Sequence, residues 1–100
     1  MIDFFDINSP ELQRDRQQVE KSFFRDGRLI QCPAKHSKRN IAYLIILQEF
    51  EFDRDYPEKE VNEIISNIYE DYCDVRRYFV EHGWMSRSNG IYRRCKPTDD

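Results

Sequence analysis

The chain has 100 residues, of which 39% are hydrophobic and 35% are charged, and its formal net charge is −3 at pH 7. A chain of this length builds one small domain, and none of its apolar runs reaches the roughly 18 to 20 residues of a membrane span. The three cysteines are odd in number and contain no C-x-x-C motif. We therefore expect a soluble cytoplasmic protein with reduced thiols rather than a secreted, disulfide-bonded or membrane protein.

The first predicted helix begins at Pro10, which follows the capping residue Ser9, and runs to about Phe23. Its apolar stripe is thin, which is typical of a peripheral helix or of one that packs on a second chain. We therefore treat residues 1–21 as an N-terminal helical extension whose apolar side chains extend a homodimer interface. These side chains are Phe4, Phe5, Leu12 and Val19.

A short strand and two further helices are predicted in the middle of the chain. Asp26-Gly27 forms a turn, and residues 28–32 form a strand that Pro33 ends. The next helix is apolar almost all round, with Ser37 as its cap, and we expect it to be the most buried helix. The helix after it begins at Pro57 and buries an apolar stripe that consists of Val61, Ile64, Ile65 and Ile68.

The stretch from residue 71 to residue 94 predicts a helix followed by a tight hairpin. Asp71 is placed to cap the helix, and Gly83 is placed to end it in the left-handed conformation. Asn89-Gly90 lies between two strand-like segments and favours a type I′ turn, because that turn needs two residues with positive φ. One face of the helix is predicted to be buried, and its members are Tyr72, Val75, Tyr78, Phe79 and His82.

These elements predict an α+β, winged-helix-like domain. It has three core helices, a C-terminal β-hairpin as the wing and a short early strand, in addition to the N-terminal helix. Trp84 and Tyr92 are expected to pack in the hairpin core, and the early strand is expected to join the hairpin in a three-stranded sheet. The predicted domain spans residues 22–95, and residues 96–100 form a flexible tail.

Five segments of the chain share a pattern with a bacterial family of domains. They are Phe23–Leu29, Pro33–Lys35, the Lys38-Arg39 helix start, Tyr56–Asn62, and the set of Asp71, Tyr72, Val75–Arg77, Gly83 and Gly90–Tyr92. Together they resemble the family called domain of unknown function 2087, over about residues 22–94. The resemblance implies a domain that is often attached to helix-turn-helix transcriptional regulators, has no defined ligand or operator, and carries no catalytic motif. Pro57 departs from the pattern, because family members often place Ser or Thr there as a helix cap.

The charges are distributed unevenly along the chain. Residues 35–50 carry three basic and one acidic side chain, residues 51–82 carry four basic and ten acidic ones, and residues 83–100 carry four basic and two acidic ones. An acidic region therefore separates two basic zones, one at the start of the central helix and one on the wing. If the zones converge on one face, they form a surface for a DNA phosphate backbone. The candidate DNA-contacting residues are Lys35, Lys38, Arg39, Arg76, Arg77, Arg87, Arg93 and Arg94.

The predicted function is DNA binding by a winged helix in a bacterial transcription-associated regulator. The negative net charge favours an alternative, which is a protein–protein interaction or dimerisation module that keeps the winged-helix shape without binding nucleic acid. Ion pairs on a solvated helix face, such as Arg77 with Glu81 or Asp74, are the simpler account of the mid-helix arginines.

No residue pattern predicts an enzyme or a cofactor site. Cys32 and His36 are four residues apart, but two histidines and three scattered cysteines form a closed zinc site only through long-range convergence. For nucleophilic catalysis, the same pair lacks an oxyanion hole and a third orienting group. Glu58, Glu60 and Glu63 are more simply the exposed face of an acidic helix than paired catalytic carboxylates.

Overall fold

The computed structural model describes residues 10–96, which form four helices and five strands. The helices are α1 (Pro10–Phe23), α2 (His36–Leu47), α3 (Glu58–Ser66) and α4 (Tyr72–Glu81). The strands are β1 (Phe24–Arg25), β2 (Arg28–Leu29), β3 (Asp55–Pro57), β4 (Met85–Ser88) and β5 (Ile91–Arg94). All four predicted helices are present. None of the helices within residues 10–96 is long and apolar enough to cross a membrane.

Helix α1 packs on α2 of its own chain. Val19 is completely buried in the core, and Leu12 is half-buried against the same core. Two of the four residues predicted to form a homodimer interface are therefore packed within the monomer. The other two, Phe4 and Phe5, lie outside the described residues, as does the predicted cap Ser9. Because α1 is continuous across residues 21 and 22, the proposed extension and the domain share one helix.

The early strand pairs with the segment just before it, so its predicted pairing with the wing is wrong. Strands β1 and β2 form a two-stranded antiparallel hairpin in which Phe24 faces Leu29. Asp26 and Gly27 both have positive φ, of 53° and 79°, which suits the two-residue turn between them. The Leu29 N–H donates to the main-chain carbonyl of Ile68 at 2.8 Å. The outer edge of β2 is therefore occupied by the α3–α4 connection, which leaves no edge for the wing.

The wing belongs to a three-stranded sheet with the order β3-β5-β4. Strand β5 lies in the centre, and its Tyr92 faces Tyr56 of β3 on one side and Arg87 of β4 on the other. The third strand is therefore the short segment before α3, which the sequence did not indicate as a strand. Asn89 and Gly90 have φ values of 52° and 76°, which confirms the predicted type I′ turn.

The tip of the wing also supports the start of α3. Pro57 precedes this helix and provides no side-chain cap, as the departure from the family pattern implied. The Glu58 N–H instead donates to the Gly90 carbonyl at 2.9 Å. One of the N–H groups that a helix start leaves without an intrahelical partner is thus satisfied by the hairpin turn.

The starts of α2 and α4 are formed differently. Asp71 caps α4 as predicted, because its side chain accepts a hydrogen bond from the Asp74 N–H at 3.3 Å. Helix α2 has no side-chain cap, and it begins at His36, after Lys35, so the prediction that Ser37 caps it is wrong. The Lys35 carbonyl accepts from the N–H groups of Lys38 and Arg39, which makes Lys35 the start of the first hydrogen-bonded turn.

The end of α4 matches the prediction in its backbone but not in one side chain. Gly83 has a φ of 72°, which is the left-handed conformation expected of a residue that ends a helix. Val75, Tyr78 and Phe79 are buried as predicted. His82 is exposed, because its ring stacks on the outer side of Tyr78 with 3.8 Å between the ring centroids.

The hydrophobic core lies between the four helices and the inner face of the wing sheet. Trp84 and Tyr92 are both buried there, as predicted for the hairpin core. Of the α3 stripe, Val61 and Ile65 are completely buried, whereas the remaining two isoleucines are half-buried. The order α2-β3-α3-α4-β4-β5, with a small antiparallel sheet and a C-terminal hairpin, confirms the predicted α+β class.

Candidate nucleic-acid interface

The exposed face of α4 is the centre of the candidate site. Val75 and Phe79 point into the core, and a helix turns by about 100° per residue, which places Arg77 on the opposite face. Arg77 is exposed and forms no ion pair with another described residue. Arg76 is half-buried at the side of α4 that faces α3, and its Nη1 donates to Asn62 Oδ1. The two adjacent arginines therefore differ, since Arg77 is exposed without an ion pair to a described residue, whereas Arg76 is hydrogen-bonded to α3.

Arg87 of the wing lies on the same side as Arg76. Its guanidinium carbon is 6.0 Å from the centroid of the Tyr92 ring. Burial, and then a hydrogen bond of 3.0 Å that Tyr92 donates to Glu58, raise the pKa of the Tyr92 phenol, whereas the charges of Arg76 and Arg87 oppose this rise. Both arginines therefore lie within electrostatic reach of one phenol at the junction of α4 and the wing, and the Glu58 carboxylate lies at the same junction.

The first basic zone flanks the other side of α4. Helices α2 and α4 run antiparallel, because Tyr43 bonds to Asp74 while Asn40, one turn earlier, accepts from the Tyr78 hydroxyl at 2.9 Å. Burial raises the pKa of Tyr78, and the charge of Arg39 opposes that rise, so Arg39 lies near this tyrosine. The start of α2 is thus beside the C-terminal half of α4. It carries the three basic residues Lys35, Lys38 and Arg39.

Two of the three carboxylates associated with α4 are engaged within the protein. Asp71 caps the helix, and Asp74 Oδ2 accepts a hydrogen bond of 2.7 Å from the Tyr43 hydroxyl. Burial, and then this hydrogen bond, raise the pKa of Tyr43, so the phenol remains the donor. Glu81 has no such contact, and all three carboxylates are exposed. A carboxylate that accepts a hydrogen bond keeps its negative charge, so these three side chains oppose the positive charge of Arg76 and Arg77 on the same helix.

The acidic region lies along the opposite edge of the wing sheet. Asp55 of β3 forms an ion pair of 2.9 Å with Arg93, and Asp53 forms one of 2.8 Å with Lys96. Arg54 bridges two further carboxylates nearby. Because β3 and β4 are the two edges of the sheet, these carboxylates are separated from Arg87 by the central strand.

Arg93 and Arg87 project from opposite faces of the wing. Arg87 is paired with Tyr92, whose side chain points into the core, and successive residues of a strand point to opposite faces. Arg93 is therefore on the outer face, where its Nε donates to Asp55. The structure does not bring Arg93 together with Arg76 and Arg87.

The last candidate residue, Arg94, is not on the surface. Only 7% of it is exposed, and its Nη1 donates to the Phe50 carbonyl at 2.9 Å while Nη2 donates to Gln48 Oε1 at 3.3 Å. Its guanidinium carbon lies 4.1 Å from the centroid of the Phe52 ring. These contacts hold Arg94 against the C-terminal end of α2, so the prediction that it contacts DNA is wrong.

One bacterial protein family matches most of the chain. The family described as DUF2087, an uncharacterized protein conserved in bacteria, matches residues 28–94. The chain belongs to the DUF2087 family. The match begins at β2 and ends at the last residue of β5, so α1 and β1 lie before it. No curated protein and no solved structure matches the chain.

Residues that position the basic side chains of this DUF2087 domain were not found from the sequence. Asn62 holds Arg76, and Tyr92 lies near both Arg76 and Arg87, although these residues are far apart along the chain. Such contacts leave no signal in spacing or composition, because they depend on how α3, α4 and the wing pack. The sequence also does not indicate that the two histidines are neighbours. The rings of His36 and His82 have centroids 6.3 Å apart, at the junction of α2 and α4.

Cys32, one of the two residues with the spacing of a metal-ligand pair, contacts a tyrosine. Cys32 Sγ lies 3.6 Å from the Tyr43 hydroxyl, which itself bonds to Asp74. Between residues 10 and 96, no three or more His, Cys, Asp and Glu side chains are grouped to hold a metal ion. The half-buried thiol of Cys32 thus packs beside a buried phenol at the centre of the α2–α4 contact.

Proposed function

We propose that this DUF2087 domain binds duplex DNA through α4 and the wing, as part of a bacterial transcription-associated regulator in the cytoplasm. The observation that carries the proposal is the position of Arg77 on the exposed face of α4, between Arg76 and Arg87 on one side and the basic start of α2 on the other. A helix fits the major groove, and flanking basic side chains hold it there through the phosphates. The proposed role is binding, not catalysis.

The distribution of charge supports this proposal despite the negative net charge. The carboxylates of residues 51–55 line the β3 edge, where three of them pair with Arg54, Arg93 and Lys96. The start of α2 has no side-chain cap and no acidic residue in its first turn. Such a helix start attracts a phosphate through its dipole and its N–H groups, and the adjacent lysines add charge of the same sign.

A protein-interaction module is the second candidate function. It is favoured by Val80, which is 37% exposed on α4, and by Ile91, which is 39% exposed on the wing. Exposed apolar side chains on these surfaces suit a protein partner better than a phosphate backbone. Homodimerisation remains a prediction that rests on Phe4 and Phe5, since the other two predicted interface residues pack in the monomer core.

The test is a titration of the full chain against mixed-sequence duplex DNA, read by fluorescence anisotropy at several salt concentrations. We expect binding that weakens with salt, with a log–log slope of about −0.9 for each phosphate neutralised. Arg77→Glu should weaken binding without changing the thermal unfolding temperature, because its exposed side chain forms no ion pair or hydrogen bond with a described residue. If no binding occurs at low salt and tens of micromolar protein, the interaction module replaces the DNA proposal.

A further inference from the structure

A cavity of about 460 Å³ lies on the side of the domain formed by α1, the β1–β2 turn and the C-terminal end of α2. Its volume is within the range of about 300 to 1,000 Å³ that is usual for small-molecule sites. None of the residues that line it comes from α4 or from the wing. The cavity is therefore separate from the candidate nucleic-acid interface.

The floor of the cavity is apolar. Phe24, Ile45 and Ile68 line it, and each is half-buried with its other side packed against the hydrophobic core. These side chains come from three separate parts of the chain, namely β1, α2 and the connection between α3 and α4. Such a floor removes hydrocarbon surface of a ligand from water, which is favourable at roughly 25 cal/mol per Å² buried.

The rim of the cavity is acidic. Glu20, Asp26 and Glu49 line it, and no Lys or Arg does so. Glu20 forms an ion pair of 3.0 Å with Arg16 of its own helix, whereas Asp26 and Glu49 form no ion pair with a described residue. Glu49 also follows the C-terminal end of α2, where the helix dipole adds partial negative charge. Two unpaired carboxylates and a helix end therefore face one opening.

We infer that this cavity binds a small organic cation with an aliphatic body, of the primary-amine class. The rim is complementary to positive charge, and an ammonium group donates three hydrogen bonds to carboxylate oxygens. The apolar floor accommodates the hydrocarbon part of the same ligand. The described side chains do not converge closely enough to hold a bare metal ion, which favours a larger cation whose ammonium groups are separated by a hydrocarbon chain.

The position of the cavity separates this ligand from the proposed DNA contacts. Lys35, Lys38 and Arg39 are at the N-terminal end of α2, and Glu49 follows its C-terminal end. Since α2 has 12 residues, its two ends are roughly 18 Å apart. Binding of the amine therefore neither requires nor blocks DNA binding, and the two proposals are tested independently.

The experiment is a titration of the intact chain with hexanediamine, followed by the backbone amide signals in two-dimensional NMR. We expect the largest shifts at Phe24, Ile45, Glu49 and Ile68. Hexanediol has the same carbon chain without charge, and adipate has the same length with negative charge. Hexanediol is expected to bind more weakly than hexanediamine, and adipate is expected not to bind.

The variants test the rim directly. Glu49→Gln combined with Asp26→Asn should weaken hexanediamine binding about tenfold, equivalent to about 1.4 kcal/mol. Asn is chosen at position 26 because it tolerates the positive φ of this turn. Glu81→Gln removes an exposed carboxylate that does not line the cavity, and it should leave the affinity unchanged. The proposal is overturned if hexanediol binds as tightly as hexanediamine, if the shifts lie elsewhere, or if no shift occurs at tens of millimolar.

Discussion

Arg94 donates a hydrogen bond of 2.9 Å from Nη1 to the main-chain carbonyl of Phe50, which joins the last strand of the wing to the end of helix α2. Burial lowers the pKa of the Arg94 guanidinium, and its Nε has no hydrogen-bond partner among the described residues. The positive charge is compensated by the C-terminal end of α2, by Gln48 and by the face of the Phe52 ring. Arg94 is thus a structural cation of the core.

We expect Arg94→Ala to lower the free energy of unfolding by about 2 to 4 kcal/mol, because it removes charge-assisted hydrogen bonds and the packing of the side-chain stem. Arg94→Met should cost less, since it keeps the volume and removes the buried charge. Arg93→Ala is the matched control, because Arg93 is exposed on the neighbouring position and its ion pair contributes at most about 1 kcal/mol. Urea denaturation measures all three. Equal losses for Arg94→Ala and Arg93→Ala would contradict the structural role.

Phe79→Ala should destabilise the domain by about 3 to 5 kcal/mol, because removing a buried aromatic ring leaves a cavity. Phe79 is completely buried and meets Phe50 edge to face, with 6.0 Å between ring centroids. The control is Val80→Ala at the next position, which is 37% exposed and should change stability by no more than about 0.5 kcal/mol. Chemical denaturation of both variants is the measurement, and similar values for the two would mean that the phase of α4 is different.

Gly90→Val should lower the stability of the hairpin by about 1 to 2 kcal/mol, because its φ of 76° is unfavourable for residues with a branched side chain. No heavy atom lies within 4 Å of the position that a Cβ would take, so the cost comes from the backbone and not from a clash. Gly90→Asn separates the two causes, since Asn adopts positive φ readily and should cost only a few tenths of a kcal/mol. Thermal unfolding compares them. A Gly90→Val variant as stable as the Gly90→Asn variant would contradict the positive φ at residue 90 and with it the type I′ turn.

The domain should lose stability above about pH 10, where free tyrosine ionises. Burial is the main cause that raises the pKa of Tyr43, Tyr69, Tyr78 and Tyr92. Above that pH the unfolded chain binds fewer protons than the folded one, so the free energy of unfolding falls with pH, by about 1.4 kcal/mol per pH unit for each phenol that stays protonated. Below it, these groups contribute no pH dependence. Tyr43→Phe should make the fall shallower in urea denaturation between pH 8 and pH 11. An unchanged slope would mean that Tyr43 ionises normally.

Reversing a charge at two wing positions distinguishes the two faces of the hairpin. Arg87→Glu should lower the salt slope of DNA binding by about one or more and weaken all sequences alike, because phosphate contacts carry no sequence information. Arg93→Glu, on the outer face and already paired with Asp55, should have the smaller effect. Arg76→Ala should instead reduce the preference among sequences if α4 enters the major groove. Anisotropy titrations measure these changes, and a larger effect of Arg93→Glu would place the DNA on the outer face.

Several features that are local along the chain were determined by the sequence alone. Asp71, Gly83 and Asn89-Gly90 each act on backbone groups within a few residues, so a cap, a helix end and a turn type follow from residue identity. The helices were predicted for the same reason, since their apolar spacing is read within one element. The family pattern could also be read directly, and it matches residues 28–94.

Only the tertiary structure determined which strands pair and which arginines are buried. Strands of two or three residues, such as β2 and β3, are too short to carry a periodic signal, and their partners are chosen by the edges that packing leaves available. The alternation of side chains along a strand predicts that Tyr92 and Arg94 lie on the same face of β5. It does not predict which face of the strand is buried. That choice depends on β5 lying between β3 and β4 against the helices. As a result, Arg94 is a core residue, whereas the adjacent Arg93 stays at the surface. Burial differs between them because it depends on contacts between elements that are distant in sequence.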